Sequence, residues 1–248
     1  MITKSKIFVV LLLFAVVGFF LFRVVEERAE RRRMIADRMT MQYGALMVGV
    51  AVASPYGMAP MSFNVALMSE IAGRLALRPA FFNTPWDRIF DELDSGIYDA
   101  VIPSVPVAPQ AARNFTRPYV ANPLVMVLLN DSPLAAASPA ELDGFAVAFP
   151  AYDQAQYSFA ELAQGRLDAV VTHFLAAHRF VAPADSPFVI AWKSPEPDLF
   201  ALGIETGNDR LAGAVNGALQ AMFADGTMLR ISMEIFGVDM VTQAREAW

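Results

Sequence analysis

FNVALMSEIAGRLALRPAFFNTPWDRIFDELDSGIYDAVI, residues 63–102, is the stretch whose reading decides the fold. From Phe63 to Leu77 apolar residues recur at helical spacing, with Val65, Met68, Ile71, Ala72 and Leu75 on one face. Arg78–Phe82 then suits a strand. Thr84-Pro85-Trp86-Asp87 carries the chemistry of a helix start: a hydroxyl to cap, a proline in the first turn, and an aspartate to complement the dipole. That helix is expected to reach Asp94 and stop at Ser95-Gly96, with Tyr98–Ile102 as the next strand. Upstream, MVGVAVA (Met47–Ala53) reads as a buried strand ended by Ser54-Pro55-Tyr56-Gly57. Strand, helix, strand, helix, strand implies a parallel sheet with right-handed crossovers, and such sheets bind ligands at the carboxyl ends of their strands.

Toward the amino terminus the pattern changes. Ile7–Phe22, IFVVLLLFAVVGFFLF, is uncharged and follows Lys4 and Lys6. At helical rise it covers ~24 Å, so Val24, Val25 and a snorkelling Arg23 are needed to help it cross a ~30 Å hydrocarbon core. The run exceeds the usual apolar core of a cleaved signal peptide, and charged residues rather than a small-residue cleavage site follow it. It is therefore read as one uncleaved transmembrane helix spanning residues 1–25, with a cleaved signal as the rival. Residues 26–43 form a charged stalk. Arginines on the carboxyl side outnumber the lysines before the span, so charge alone favours a cytoplasmic domain and does not settle topology.

Composition removes several classes of function. The net charge of −6 argues against nucleic-acid binding, and the one basic cluster, Arg31–Arg33, lies beside the membrane. With no cysteine there is no disulfide, no thiol nucleophile and no thiolate metal site. His173 and His178 are five apart, which misses the four-residue metal spacing of a helix face, and no nucleophile elbow or phosphate loop is present. No cofactor and no catalytic residue are expected.

Beyond residue 102 the motifs multiply, and together they resemble a family. SPYG (54–57), the helix from Phe63, TPWDRIFDELDSGIYDAVIPSVPVAPQA (84–111) and FTRPY (115–119) resemble the first lobe of the family 3 extracellular solute-binding proteins. GRLDAVVTH (165–173) and the segment from Phe200 to Gly237 resemble their second lobe and closing elements. The resemblance implies a two-lobed α/β fold of type II periplasmic-binding-protein-like architecture behind the N-terminal helix. Lobe one would comprise residues 44–129 and 199–248, and a shortened lobe two residues 130–198. It also implies a bacterial inner-membrane protein with its large domain in the periplasm. Residues so placed to line the cleft are Tyr56, Trp86, Ser104, Pro106, Ala108, Ala111 and His173.

Departures from the family pattern fall on the ligand grips. The threonine and arginine that hold an amino-acid carboxylate map to Ala108 and Ala111, with Arg113 two positions further on. The acid that holds the ammonium maps to His173. From FAVAF (145–149) the chain passes almost directly to SFAELAQG (158–165), without the usual anion-binding turn and helix. An unpaired buried carboxylate or ammonium costs several kcal/mol, so such a cleft is not expected to hold an ordinary amino acid tightly. For Tyr56, a turn aromatic or a ligand platform are equal readings; Trp86 reads as core, and His173 as a satisfied helix-end histidine or a donor to an uncharged ligand. Three classes remain: a tethered solute-binding protein serving an importer permease, a non-catalytic accessory subunit of a larger membrane or periplasmic complex, and a dehydratase-like enzyme on the same scaffold. The last needs a cleft acid and a carboxylate clamp that are not recognisable here.

Overall fold

The structure, a computed structural model, describes residues 44–52, 61–103, 106, 114–134, 138–150 and 154–248. The apolar run Ile7–Phe22, the stalk, Tyr56, Ser104, Ala108, Ala111 and Arg113 lie outside the described residues. Among the described residues no helix is long and apolar enough to cross a membrane.

Among the described residues ten strands form two four-stranded sheets joined by a ribbon. β1 (Ala45–Val52), β2 (Arg78–Pro85) and β3 (Ala100–Ile102) run parallel, and β10 (Gly203–Ile204) closes the sheet antiparallel to β3 in the order β10-β3-β1-β2. Side chains alternate across β1, so the two faces bury different partners. Leu46, Val48 and Val50 pack with Phe63, Leu67, Met68 and Ile71 of α1 (Met61–Arg74) and with Leu219 and Met228 from the carboxyl-terminal helices. The opposite face meets Ile89 and Leu93 of α2 (Ile89–Asp94) together with Tyr98 and Val101. A sheet covered on both faces explains why these strands read as continuous apolar runs. Gly49 belongs to this layer for a steric reason: a Cβ there would lie 2.6 Å from Cδ2 of Tyr98.

The helix expected to begin at Thr84 begins later. Thr84 is buried inside β2, where its Oγ1 lies 2.7 Å from the Tyr98 hydroxyl; a 3-10 turn, Trp86–Arg88, precedes α2. Tyr98 also donates to Glu92 Oε2 at 2.9 Å, and burial raises its phenol above the usual value. A buried hydroxyl needs a partner, and the tertiary partner Tyr98 outcompetes the local capping role. Helix α1 begins earlier and ends sooner than its apolar period, at Arg74, where Ala76 turns left-handed at φ 56°.

The second sheet has the order β6-β7-β5-β8. It comprises β5 (Leu124–Leu129), β6 (Val147–Ala148), β7 (Ala169–His173) and β8 (Phe188–Lys193), with β6 and β7 parallel and β7, β5 and β8 successively antiparallel. Its faces also differ. Val125, Val127 and Val170 are covered by α3 (Ala155–Ala163) and α4 (Phe174–Val181). Met126, Leu128, Ala169 and Val171 cluster with Val147 and Trp192 of the same sheet and, among the described residues, with Leu134 and Leu142 from the connecting segment. Within FAVAF only Val147–Ala148 pair as a strand, leaving Phe145 and Phe149 exposed on either side.

Between the sheets, β4 (Val120–Asn122) and β9 (Asp198–Phe200) pair antiparallel, with Val120 opposite Phe200 and Asn122 opposite Asp198. The chain thus crosses outward through β4 and returns through β9. Helices α5 (Asp209–Ala224), α6 (Thr227–Phe236) and α7 (Thr242–Glu246) complete the first sheet's cover, and Trp248 fastens the end by donating Nε1 to the Pro118 carbonyl at 2.9 Å.

Candidate functional site

Period-two alternation puts Leu124 on one face with Met126 and Leu128, and His173 on that face with Ala169 and Val171. Among the described residues this face is met by the 3-10 turn Pro139–Glu141 and Leu142 rather than by an α-helix. Where its cover ends, the apolar row opens into a pocket of about 710 Å³ whose walls include Leu124, Phe149, Pro150, Val171, His173 and Trp192. Leu124 is opposite His173 in the ladder, so the pocket occupies the end of the sheet nearest the connecting ribbon. It also lies at the carboxyl ends of the parallel pair β6 and β7, where an α/β sheet presents ligand-binding loops.

His173 is the residue before α4 and has extended backbone, φ −69° and ψ 146°, but its ring does not cap the helix. The cap comes from the crossing strand instead. Leu175 N donates to Asn122 Oδ1 at 3.1 Å, and Phe174 N donates to the Pro123 carbonyl at 2.8 Å. With the first amides of α4 satisfied, the imidazole is released to turn outward. Its Nε2 lies 2.8 Å from Oδ2 of Asp198, the first residue of β9; the His173 side chain is 18% exposed and that of Asp198 41%. Because a carboxylate only accepts, Nε2 carries the hydrogen of this bond. The residue at the end of β7 is therefore an imidazole oriented by a carboxylate across the lobe–ribbon junction.

The remaining expected site residues divide by position. Trp86 opens the 3-10 turn at the carboxyl end of β2 and is half-buried. Pro106, also half-buried, forms a bridge with Phe200 and so sits beside the β4–β9 ribbon. His173 belongs to the second sheet. Sequence reading missed Asp198, Asn122, Phe149 and Trp192. Trp192 carried a signal, since FVIAWK is rich in the β-branched and aromatic residues that favour strands; Asp198 carried none, because its partner lies 25 positions away. His178 is in the last turn of α4 with its ring stacked on Phe174 at 5.2 Å, apart from His173's bond. Among the described residues no group of three or more histidine or acidic side chains is placed to hold a metal ion.

Residues 46–238 match the family model described as bacterial extracellular solute-binding proteins, family 3. The L-cystine-binding protein TcyJ of Escherichia coli (strain K12) is 23% identical over 199 residues, covering 72% of this chain and 75% of that protein. ABC transporter arginine-binding protein 1 of the same organism is 25% identical over 199 residues, covering 70% and 81%. A crystal structure of YckB from Bacillus subtilis superposes with a TM-score of 0.71 at 19% identity, covering 83% of this chain and 94% of that one. At that identity the likeness shows the two-lobed fold.

Proposed function

The chain belongs to the bacterial extracellular solute-binding proteins of family 3, and from that premise we propose that it is a membrane-tethered periplasmic binding component of an importer whose ligand is not gripped as an amino-acid zwitterion. One observation carries this reading: the end of β7 presents an imidazole, already hydrogen-bonded to Asp198, beside a pocket with apolar walls. An imidazole is a poor counter-ion for an ammonium group, and an apolar wall gives a carboxylate no partner. Relatives named for cystine and arginine binding set the contrast. The tether rests on Ile7–Phe22, whose length suits a short span. Calorimetry on the full chain with the standard amino acids and L-cystine should give no dissociation constant below about 100 μM, which corresponds to roughly 5.5 kcal/mol. Micromolar binding of any of them would overturn the proposal.

A second reading, an accessory subunit docked on a membrane or periplasmic complex, is favoured by the exposed aromatics about β6. Phe145 is 46%, Phe149 69% and Tyr157 67% exposed. Stable co-purification of a partner in mild detergent, lost in a Phe145→Ser, Tyr157→Ser double variant, supports it. A partner-free protein that binds a small solute excludes it.

A further inference from the structure

Resting on the solute-binding reading, we propose that the pocket of the second sheet takes a planar, uncharged apolar ligand with one hydrogen-bond donor, received by Nδ1 of His173 while Asp198 sets the ring's tautomer. Three observations converge on this. First, the described walls are apolar apart from His173, Thr172 and Ser138, and two of them are rings, Phe149 and Trp192. Phe149, at 69% exposure, is the most exposed of the large apolar side chains among the described residues and lines the pocket rather than a core. Flat aromatic walls favour a flat ligand.

Second, the bond from Nε2 to the Asp198 carboxylate fixes where the hydrogen resides, so in the neutral ring Nδ1 bears the lone pair. Among the described residues the ring makes no other hydrogen bond, and Nδ1 is an acceptor awaiting a donor. Third, Asp198 does not itself line the pocket, so a ligand meets the imidazole and not the carboxylate. Among the described lining residues no charged side chain compensates a charged ligand, so these walls return none of the hydration it would lose. Asp198 is thus a positioning residue and His173 the recognising one.

Indole, a planar N–H donor, and benzofuran, its isostere without the N–H, separate the possibilities. With the full chain in lipid nanodiscs and empty discs as reference, calorimetry should show indole bound about five- to tenfold more tightly than benzofuran. In Asp198→Asn the amide can donate to Nε2 and move the ring hydrogen to Nδ1. The indole preference should then vanish, and the His173 ring-nitrogen NMR shifts should exchange between the two positions. Equal affinities in the wild type, which require no variant to fold, overturn the inference. Tighter binding of L-arginine or L-cystine than of indole also overturns it while leaving a solute-binding role intact. If neither indole nor benzofuran binds, the inference fails; the broader reading fails with it only if a thermal-shift screen of small metabolites is silent as well.

Discussion

Ala76 stands where the chain leaves α1 in the left-handed conformation, φ 56°, the one non-glycine with positive φ among the described residues. Leu77 N reaches back to the Ala72 carbonyl at 2.8 Å and Ala76 N to Gly73 at 3.1 Å, the paired bonds of a helix-terminating turn. An alanine Cβ clashes with its own carbonyl in this conformation at a cost of about 1–2 kcal/mol, part of which glycine returns as unfolded-state entropy. Ala76→Gly should therefore stabilise the protein by about 1 kcal/mol, read as a higher urea midpoint at constant slope. No change would mean that the surrounding turn relaxes around the methyl.

At the scale of elements, the β4–β9 ribbon does more than connect. Asn122 is fully buried in β4, and its Oδ1 caps α4 of the other sheet through Leu175 N. Asn122→Ala removes an N-cap and should cost about 1 kcal/mol. Because Pro123 O still holds Phe174 N, the helix should persist, and hydrogen exchange should speed up first at Leu175. The α5–α6 corner is held differently. Asp225 accepts from the hydroxyl and amide of Thr227, and Arg74 of α1 donates to it at 2.8 Å; these bonds hold its carboxyl at about 2, below the usual 3.8. A depressed folded value means the contribution is present above 3.8 and is lost as pH falls toward about 2. The melting temperature of wild type should accordingly exceed that of Asp225→Asn near neutrality, and the gap should close across that acid window. A gap that persists below it would assign the effect to packing.

Across the whole molecule, each sheet has its own main core, and the β4–β9 ribbon joins the two together with Phe174 and Leu175 of α4, which pack against the first core, an arrangement in which small backbone changes at β4 and β9 can move one lobe against the other. His173–Asp198 bonds the second lobe to that ribbon, so a ligand at His173 bears on the same junction. An extracellular family behind an apolar run such as Ile7–Phe22 predicts that alkaline phosphatase fused after Trp248 is active and that a cytoplasmic reporter there is not. The opposite pattern would refute the topology, and a mature terminus near Glu26 by mass spectrometry would refute the anchor.

The strand–helix–strand–helix–strand order of residues 45–102 was legible in the sequence because each element buries a regular face, and a period of two or 3.6 survives in the order of residues whatever the partner. What the tertiary structure alone decided were the pairings between distant residues: Thr84 with Tyr98 in place of a cap, Asn122 with Leu175, and His173 with Asp198. It also decided that a pocket lies at the end of the second sheet's apolar row, since cover depends on which loops fold over a strand row and not on the row's own pattern. Periodicity is a local property that each segment carries for itself, whereas a hydrogen bond across 25 or 53 positions exists only when the chain has brought its two ends together.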